Sequence, residues 1–461
     1  MLGALKGLIR GAIPLSLYLG TIATCLATIF KRAEWGVFLL VAMIPQPNIW
    51  YKLHDFPLGN NFIDALVFSI LLGMMVQHKG FARTPNTLYI MLFMTVSYIS
   101  LWNSSLRFLL PVPLTTANPL LADWKNYAEM IFLYFLILNV VQEEDQQKKI
   151  LILIAVVMLL LGIRSYRNFE GGDTFNYDKR VGGPFEAVGL GPNHFGAFII
   201  DYCAILLGLF IYEKDRKLRL LYAAACLFGL HPLFFSYSRG VYMAAVATIT
   251  MFGLLKQRSL LVLVAVLAIT WQTLLPPSVV DRITMTEGEN GQLEHSAGGR
   301  LLLWERALGM FKENPVFGVG YSGYSFSSGG EYLANGEELQ SGQDVHSFYL
   351  RTLSETGVVG ITLFLFLLLK AFFSGWRLWR IGLTPFQQGL GFGFMGCVLA
   401  MAVTNAFGDR WSYFTLGSYF WIVWAMVDRS ALTAAAPAPA AALQPEPAEL
   451  DAAKTEEPRY V

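Results

Sequence analysis

The chain is predicted to be an all-α polytopic membrane protein with about 12 or 13 transmembrane helices. Three observations carry that prediction. Apolar residues make up 55% of the 461 and charged residues only 15%, with a mean hydropathy of +0.48, whereas soluble domains carry about 25% charged residues. Apolar runs close to the roughly 20 residues needed to cross a hydrocarbon layer recur along most of the chain. Short basic clusters separate alternate pairs of these runs, as expected of cytoplasmic loops under the positive-inside rule.

The first run, near 11–30, follows a basic start. A second apolar run succeeds it in place of a polar mature chain, so it reads as an uncleaved first helix. Further runs lie near 61–77, 86–102, 126–141, 148–163, 194–212, 217–234, 240–255, 259–275, 349–370, 385–407 and 411–428. A shorter one, "WGVFLLVAMIPQPNIW" (35–50), is interrupted by Pro45 and Pro47 and reads either as a crossing or as re-entrant. Between the later runs, "EKDRKLR" (213–219), "KQR" (256–258) and "WRLWRIG" (376–382) alternate as cytoplasmic loops. That puts 164–193, "YSRG", "NAFGDRW" and the long segment 276–348 on the other face. Residues 1–430 are therefore expected to form the membrane domain, and the Ala/Pro/Glu-rich 431–461 a disordered cytoplasmic tail.

The long segment is not featureless. In "GGRLLLWERALGMFKENP", Leu301, Trp304, Leu308 and Phe311 recur at helical spacing and Asn314-Pro315 ends the pattern, which predicts an amphipathic helix beside the membrane. The net charge is +1, with no basic footprint for nucleic acid. The four cysteines (Cys25, Cys203, Cys226, Cys397) all sit in apolar runs at no metal-ligand spacing. "GVGYSG" fits a dinucleotide fingerprint literally but lacks its strand–turn–helix frame.

Three polar residues on the presumptive outer face bear on chemistry. Arg239 sits in "FFSYSRGVYMAA", Arg300 heads the amphipathic helix, and His346 precedes the run at 349. Singly, each reads as readily as an interfacial or structural residue. Together, two guanidiniums suit bidentate binding of a diphosphate. An imidazole can take a proton from an attacking hydroxyl. The Gly-rich "YDKRVGGPFEAVGLGPNHFGAF" (177–198) adds Arg180, Asn193 and His194, or is simply a tight surface loop. Asp201 lies inside an apolar run; Arg351 and Glu355 are spaced to pair, and Asp409 and Arg410 read as a structural loop pair.

The ordered series "GGPFEAVGLGPNHFGAF", "SYSRG", "GGRLLLWERALGMFKENPVFGVGYSGY" and "VHSFYLRTLSETGVVG", spanning about residues 177–360, resembles the bacterial O-antigen ligase and Wzy-type polymerase superfamily. Its Gly-rich part also resembles the branch of O-glycosylation ligases that accompany exosortase systems. The resemblance implies a lipid-dependent glycosyltransferase bundle of the GT-C-like type in the bacterial inner (cytoplasmic) membrane. Its active site would face the periplasm, beside the large loop at 276–348. The implied donor is a glycan on undecaprenyl diphosphate; the acceptor is a glycan, lipid A-core or protein. Arg239, Arg300 and His346 match the family's catalytic positions, and Arg180 and Asn193 are implied as substrate contacts. Neither a cofactor nor a metal is implied, and inversion is the expected outcome. Where the family often has His-Asn, this chain has Ser347 after His346. The same motifs admit a repeat-unit polymerase of O-antigen or exopolysaccharide. Asp64 and Asp201, ionisable residues in or beside apolar runs, keep a transporter or flippase open.

Overall fold

Every one of the twelve long apolar runs lies within its own helix, and no strand occurs among the described residues. The computed structural model describes residues 2–285, 295–327 and 344–435. In chain order the helices are α1 (Leu2–Phe30), α2 (Glu34–Met43), α3 (Pro47–Trp50), α4 (Phe62–Val76), α5 (Thr87–Arg107), α6 (Leu121–Val140), α7 (Glu144–Arg167), α8 (Pro192–Tyr212) and α9 (Arg216–Phe235). There follow α10 (Arg239–Leu255), α11 (Ser259–Leu274), α12 (Pro277–Thr284), α13 (His295–Glu313), α14 (Gly323–Ser327), α15 (Phe348–Ile381), α16 (Pro385–Ala406) and α17 (Phe414–Ala435).

Among the described residues, length and hydropathy alone mark some of these helices as spans. Seven helices are long and apolar enough to cross a membrane on their own, or eight if α11 and α12, bent by 105°, count as one broken span. Two of the remaining runs are short. The short run at 35–50 breaks at its prolines into α2 and α3. Helix α10 is only 17 residues long. α17 is almost wholly enclosed by other helices, so its polar groups meet protein instead of lipid. Asp428 of α17 shows this: its carboxylate accepts from Asn86 Nδ2 at 2.7 Å and from the Tyr134 hydroxyl, and Asn86 also reaches Ser374 Oγ at 2.8 Å. One knot thus ties together the start of α5, α6, α15 and α17. Helix α17 extends to Ala435, into the expected tail; residues 436–461 lie outside those described.

Helices α8, α16 and α17 form the centre, whereas α1 and α11 lie at the edge. Small residues let the central helices touch. A Cβ on Gly208 of α8 would run into Gly393 of α16, and one on Gly391 would lie 2.7 Å from the Gly375 carbonyl of α15. Without water to drive association, such close backbone packing is how membrane helices gain dispersion contacts. The basic loops after α8, α10 and α15 all fall at one end of this bundle. The starts of α8, α10 and α15 and the α16–α17 loop fall at the other, in keeping with the expected alternation.

At that second end the long segment 276–348 is built, apart from 286–294 and 328–343, which lie outside the described residues. Helix α13 exists as expected, and it carries two apolar faces. Leu303 and Ala307 are buried, with Trp304 and Met310 packed beside them, in a small core with Tyr324 and Val345; Leu301 and Leu308 point outward. Chain 314–321 then straps across α15. The α15 helix breaks at Gly357 (φ 63°), where a side chain would collide with the Val316 carbonyl. The strap supplies the missing hydrogen bonds: Val319 N to Ser354 O and Gly320 N to Glu355 O, both 2.9 Å, and Val358 N to Pro315 O at 2.8 Å. Backbone groups buried at a helix break need such partners. The rejected nucleotide motif is therefore a structural clasp, with Gly318 (φ 65°) and Gly320 (φ 103°) allowing the close approach.

Candidate functional site

Four short paths of chain meet at the same end of the bundle. Arg239 is the first residue of α10, directly after Ser238 at the N-cap. Asn193 sits in the first turn of α8, behind Pro192. Arg180 comes from the Gly-rich loop before α8, and Arg300 from the start of α13. All four line one cavity of about 220 Å³.

A fifth residue lines it that sequence reasoning missed. Helix α12 folds back after the 105° bend and brings in Arg282. Arg282 is 6% exposed, and its guanidinium lies over the rings of Phe175 (5.1 Å) and Tyr177 (5.2 Å). It donates through Nε to the Tyr237 carbonyl at 3.3 Å, and Tyr237 OH bonds Ser278 Oγ at 2.9 Å. A signal was present: Ser278, Val279 and Arg282 share one face of a short helix in "PPSVVDRIT".

The side chains are held by backbone. Arg239 Nε donates to Arg282 O at 3.3 Å, and its Nη2 to Met285 O. Arg180 donates to Ser236 O through Nε at 2.9 Å and through Nη2 at 2.6 Å, and Nη2 also reaches Asn193 Oδ1 at 2.6 Å. Burial, and next the neighbouring Arg282 with a smaller contribution from Arg300, lowers the Arg180 pKa to about 10. Four guanidiniums gathered on one cavity make an anion the favoured occupant, and a polyanion can accept from several of them at once.

His346 does not line this cavity, but it lies near enough to Arg300 to feel its charge. Its imidazole is held below its ordinary pKa, first by partial burial and then by Arg300 and Arg410, with Asp344 opposing. The side chain remains 47% exposed, with Nδ1 3.9 Å from Asp344 Oδ2. Its position follows from α13. Trp304, one turn after Arg300, donates Nε1–H to the Val345 carbonyl at 3.1 Å. Next comes His346 with φ 55°, left-handed and uncommon for a side-chain-bearing residue. Ser347 then caps α15, its Oγ accepting from Leu350 N at 3.5 Å. Ser347 is thus a buried cap, a task that serine and asparagine share.

Behind the site, Arg351 bonds Asp409 at 2.6 Å and Glu355 at 3.3 Å. The Arg351–Glu355 pair is as expected, but Asp409 does not pair with the side chain of Arg410. Its carboxylate turns to Arg351 and caps Trp411 N and Ser412 N, while Arg410 Nη1 bonds the Asp409 carbonyl. Asp64 forms a half-exposed pair with Lys125 at 2.6 Å near the start of α4, not a midplane site. Asp201 is buried in α8, and its Oδ1 has no hydrogen-bond partner among the described residues. Among the described residues no group of three or more His, Cys, Asp or Glu side chains is placed to hold a metal.

Residues 223–365 match the family model described as O-antigen ligase. This stretch belongs to the O-antigen ligase superfamily. It contains Arg239, Arg282, Arg300 and His346, while Arg180 and Asn193 lie ahead of it. No curated protein matches the chain. An O-antigen ligase domain within an all-helical membrane bundle marks a membrane protein that transfers glycans, as ligase or polymerase.

Proposed function

We propose that the protein is an inverting, metal-independent glycosyltransferase of the O-antigen ligase type. It takes a glycan from undecaprenyl diphosphate and passes it to an acceptor hydroxyl on the periplasmic face of the bacterial inner membrane. The observation that carries this reading is the convergence of Arg180, Arg239, Arg282 and Arg300 on one cavity. The basic loops at the opposite end of the bundle support the periplasmic assignment.

The arginines hold the diphosphate and stabilise the charge that grows as the bond from its oxygen to the anomeric carbon breaks. The acceptor oxygen forms the new bond to that carbon from the opposite face. His346, held in its neutral form near neutral pH, takes the hydroxyl proton. The diphosphate leaves with the electron pair of the broken bond.

Loss of one guanidinium from a desolvated anion site costs about 3 kcal/mol, about a hundredfold in rate. Cells carrying Arg239→Ala, Arg300→Ala or His346→Ala at normal membrane levels are expected to lose most surface glycan. Wild-type glycan from all three variants would end this reading.

A further inference from the structure

At the end of the bundle that carries the basic loops, a cavity of about 160 Å³ lies between the start of α5 and the last turns of α15 and α17. We propose that it binds the headgroup of a zwitterionic phospholipid with a primary amine, of the phosphatidylethanolamine class. The site lies at the opposite end from the arginine cavity and does not depend on the transferase reading.

Opposite charges line this cavity without meeting. One wall is the knot described above: buried Asp428 accepts from Asn86 and Tyr134 on Oδ2. Ser374 Oγ is fixed beside it by Asn86 Nδ2 at 2.8 Å and Trp424 Nε1 at 3.1 Å. Helix α15 brings Lys370, Ser374 and Arg377 to one face, at spacings of four and three residues. The Lys370 ammonium is held over the rings of Tyr89 (4.7 Å) and Phe366 (5.3 Å). Among the described residues neither Lys370 nor Arg377 forms an ion pair with Asp428, and Asp428 is the one carboxylate among the residues lining the cavity. A buried carboxylate and two cations that share a cavity but do not pair favour an occupant whose charges run in the reverse order. An ammonium then meets Asp428, and a phosphodiester meets Lys370 and Arg377. A purely anionic headgroup would leave Asp428 without a cation. A quaternary ammonium has no N–H to donate to it. The occupant is a lipid because Phe373, exposed on a membrane-spanning helix, also lines the cavity. The volume is below the ~300–1,000 Å³ usual for whole ligands, so the cavity takes a headgroup while the acyl chains lie outside it.

The full-length protein, purified in detergent and stripped of lipid, is titrated with phosphatidylethanolamine, phosphatidylglycerol and phosphatidylcholine of matched chains. Bound lipid is counted by native mass spectrometry. The first phosphatidylethanolamine is expected to bind about tenfold more tightly than either of the others. Asp428→Asn should erase that preference. The double variant Lys370→Gln, Arg377→Gln changes a half-buried and an exposed side chain, and should weaken binding about tenfold. Equal affinities of the wild type for the three lipids, or unchanged binding by the double variant, would overturn the proposal, even where Asp428→Asn fails to fold. Soluble O-phosphoethanolamine is expected not to compete at the same concentrations; its displacing the lipid there would overturn the lipid assignment.

Discussion

Replacing Trp304 by phenylalanine tests how the imidazole of His346, the proposed base, is held. The indole donates one hydrogen bond, 3.1 Å long, to the carbonyl of Val345, whose side chain is fully buried. The next residue, His346, is in the left-handed region, which costs a residue with a side chain roughly 1–2 kcal/mol. Phenylalanine keeps most of the ring packing in the small core with Leu303, Ala307 and Tyr324, so little cavity term enters. The loss is then the bond itself, about 1 kcal/mol net, rising to about 3 if the carbonyl is left without a partner. Those values correspond to about a 5-fold to 100-fold fall in the held population of His346. The proper assay is turnover by purified protein at saturating donor, beside binding of undecaprenyl diphosphate. Turnover is expected to fall within that range while diphosphate binding stays, because the arginines keep their own anchors. Wild-type turnover, or equal loss of binding, would refute the claim that Trp304 acts by placing His346.

Three further outcomes are expected. Arg282→Gln removes a cavity charge and should cut transfer about a hundredfold, with Arg282→Lys rescuing only in part because an ammonium cannot reproduce the planar stacking on Phe175 and Tyr177; full activity of the glutamine variant would remove Arg282 from the site. Gly318→Ala combines a left-handed backbone with a collision against Glu355, about 2–5 kcal/mol together, and should lower the melting temperature in detergent; an unchanged melt would show that the clasp yields. The third concerns pH. His346 acts as a base when neutral, and its pKa is lowered, so the acid limb of the rate profile should lie below the ordinary histidine value. Asp344 raises that pKa, so Asp344→Asn should move the limb to still lower pH; movement upward, or none, would count against His346 as the base.

Much of the site could be read from residue order. Asn193 and Arg239 stand at the edges of apolar runs, where a membrane chain puts polar groups only at a cost, Arg180 lies in the Gly-rich loop and Arg300 in the amphipathic helix, and the cavity gathers all four. Arg282 was hidden because the segment after α11 looked like loop, and only its sharp return places it under Tyr237. The inward face of α13 was likewise not legible. Leu301 and Leu308 are as apolar as Leu303, and periodicity alone does not say which apolar face meets protein.

What the sequence determined by itself is the set of helices and the end of the bundle that each polar residue occupies, because helix formation and membrane burial depend on local apolar content. How α12 and the 314–321 clasp fold back, and why His346 takes a left-handed backbone, were decided only by tertiary structure. Those features rest on hydrogen bonds and close contacts between residues far apart in the chain, such as Val319 with Ser354 and Trp304 with Val345, which no local pattern encodes.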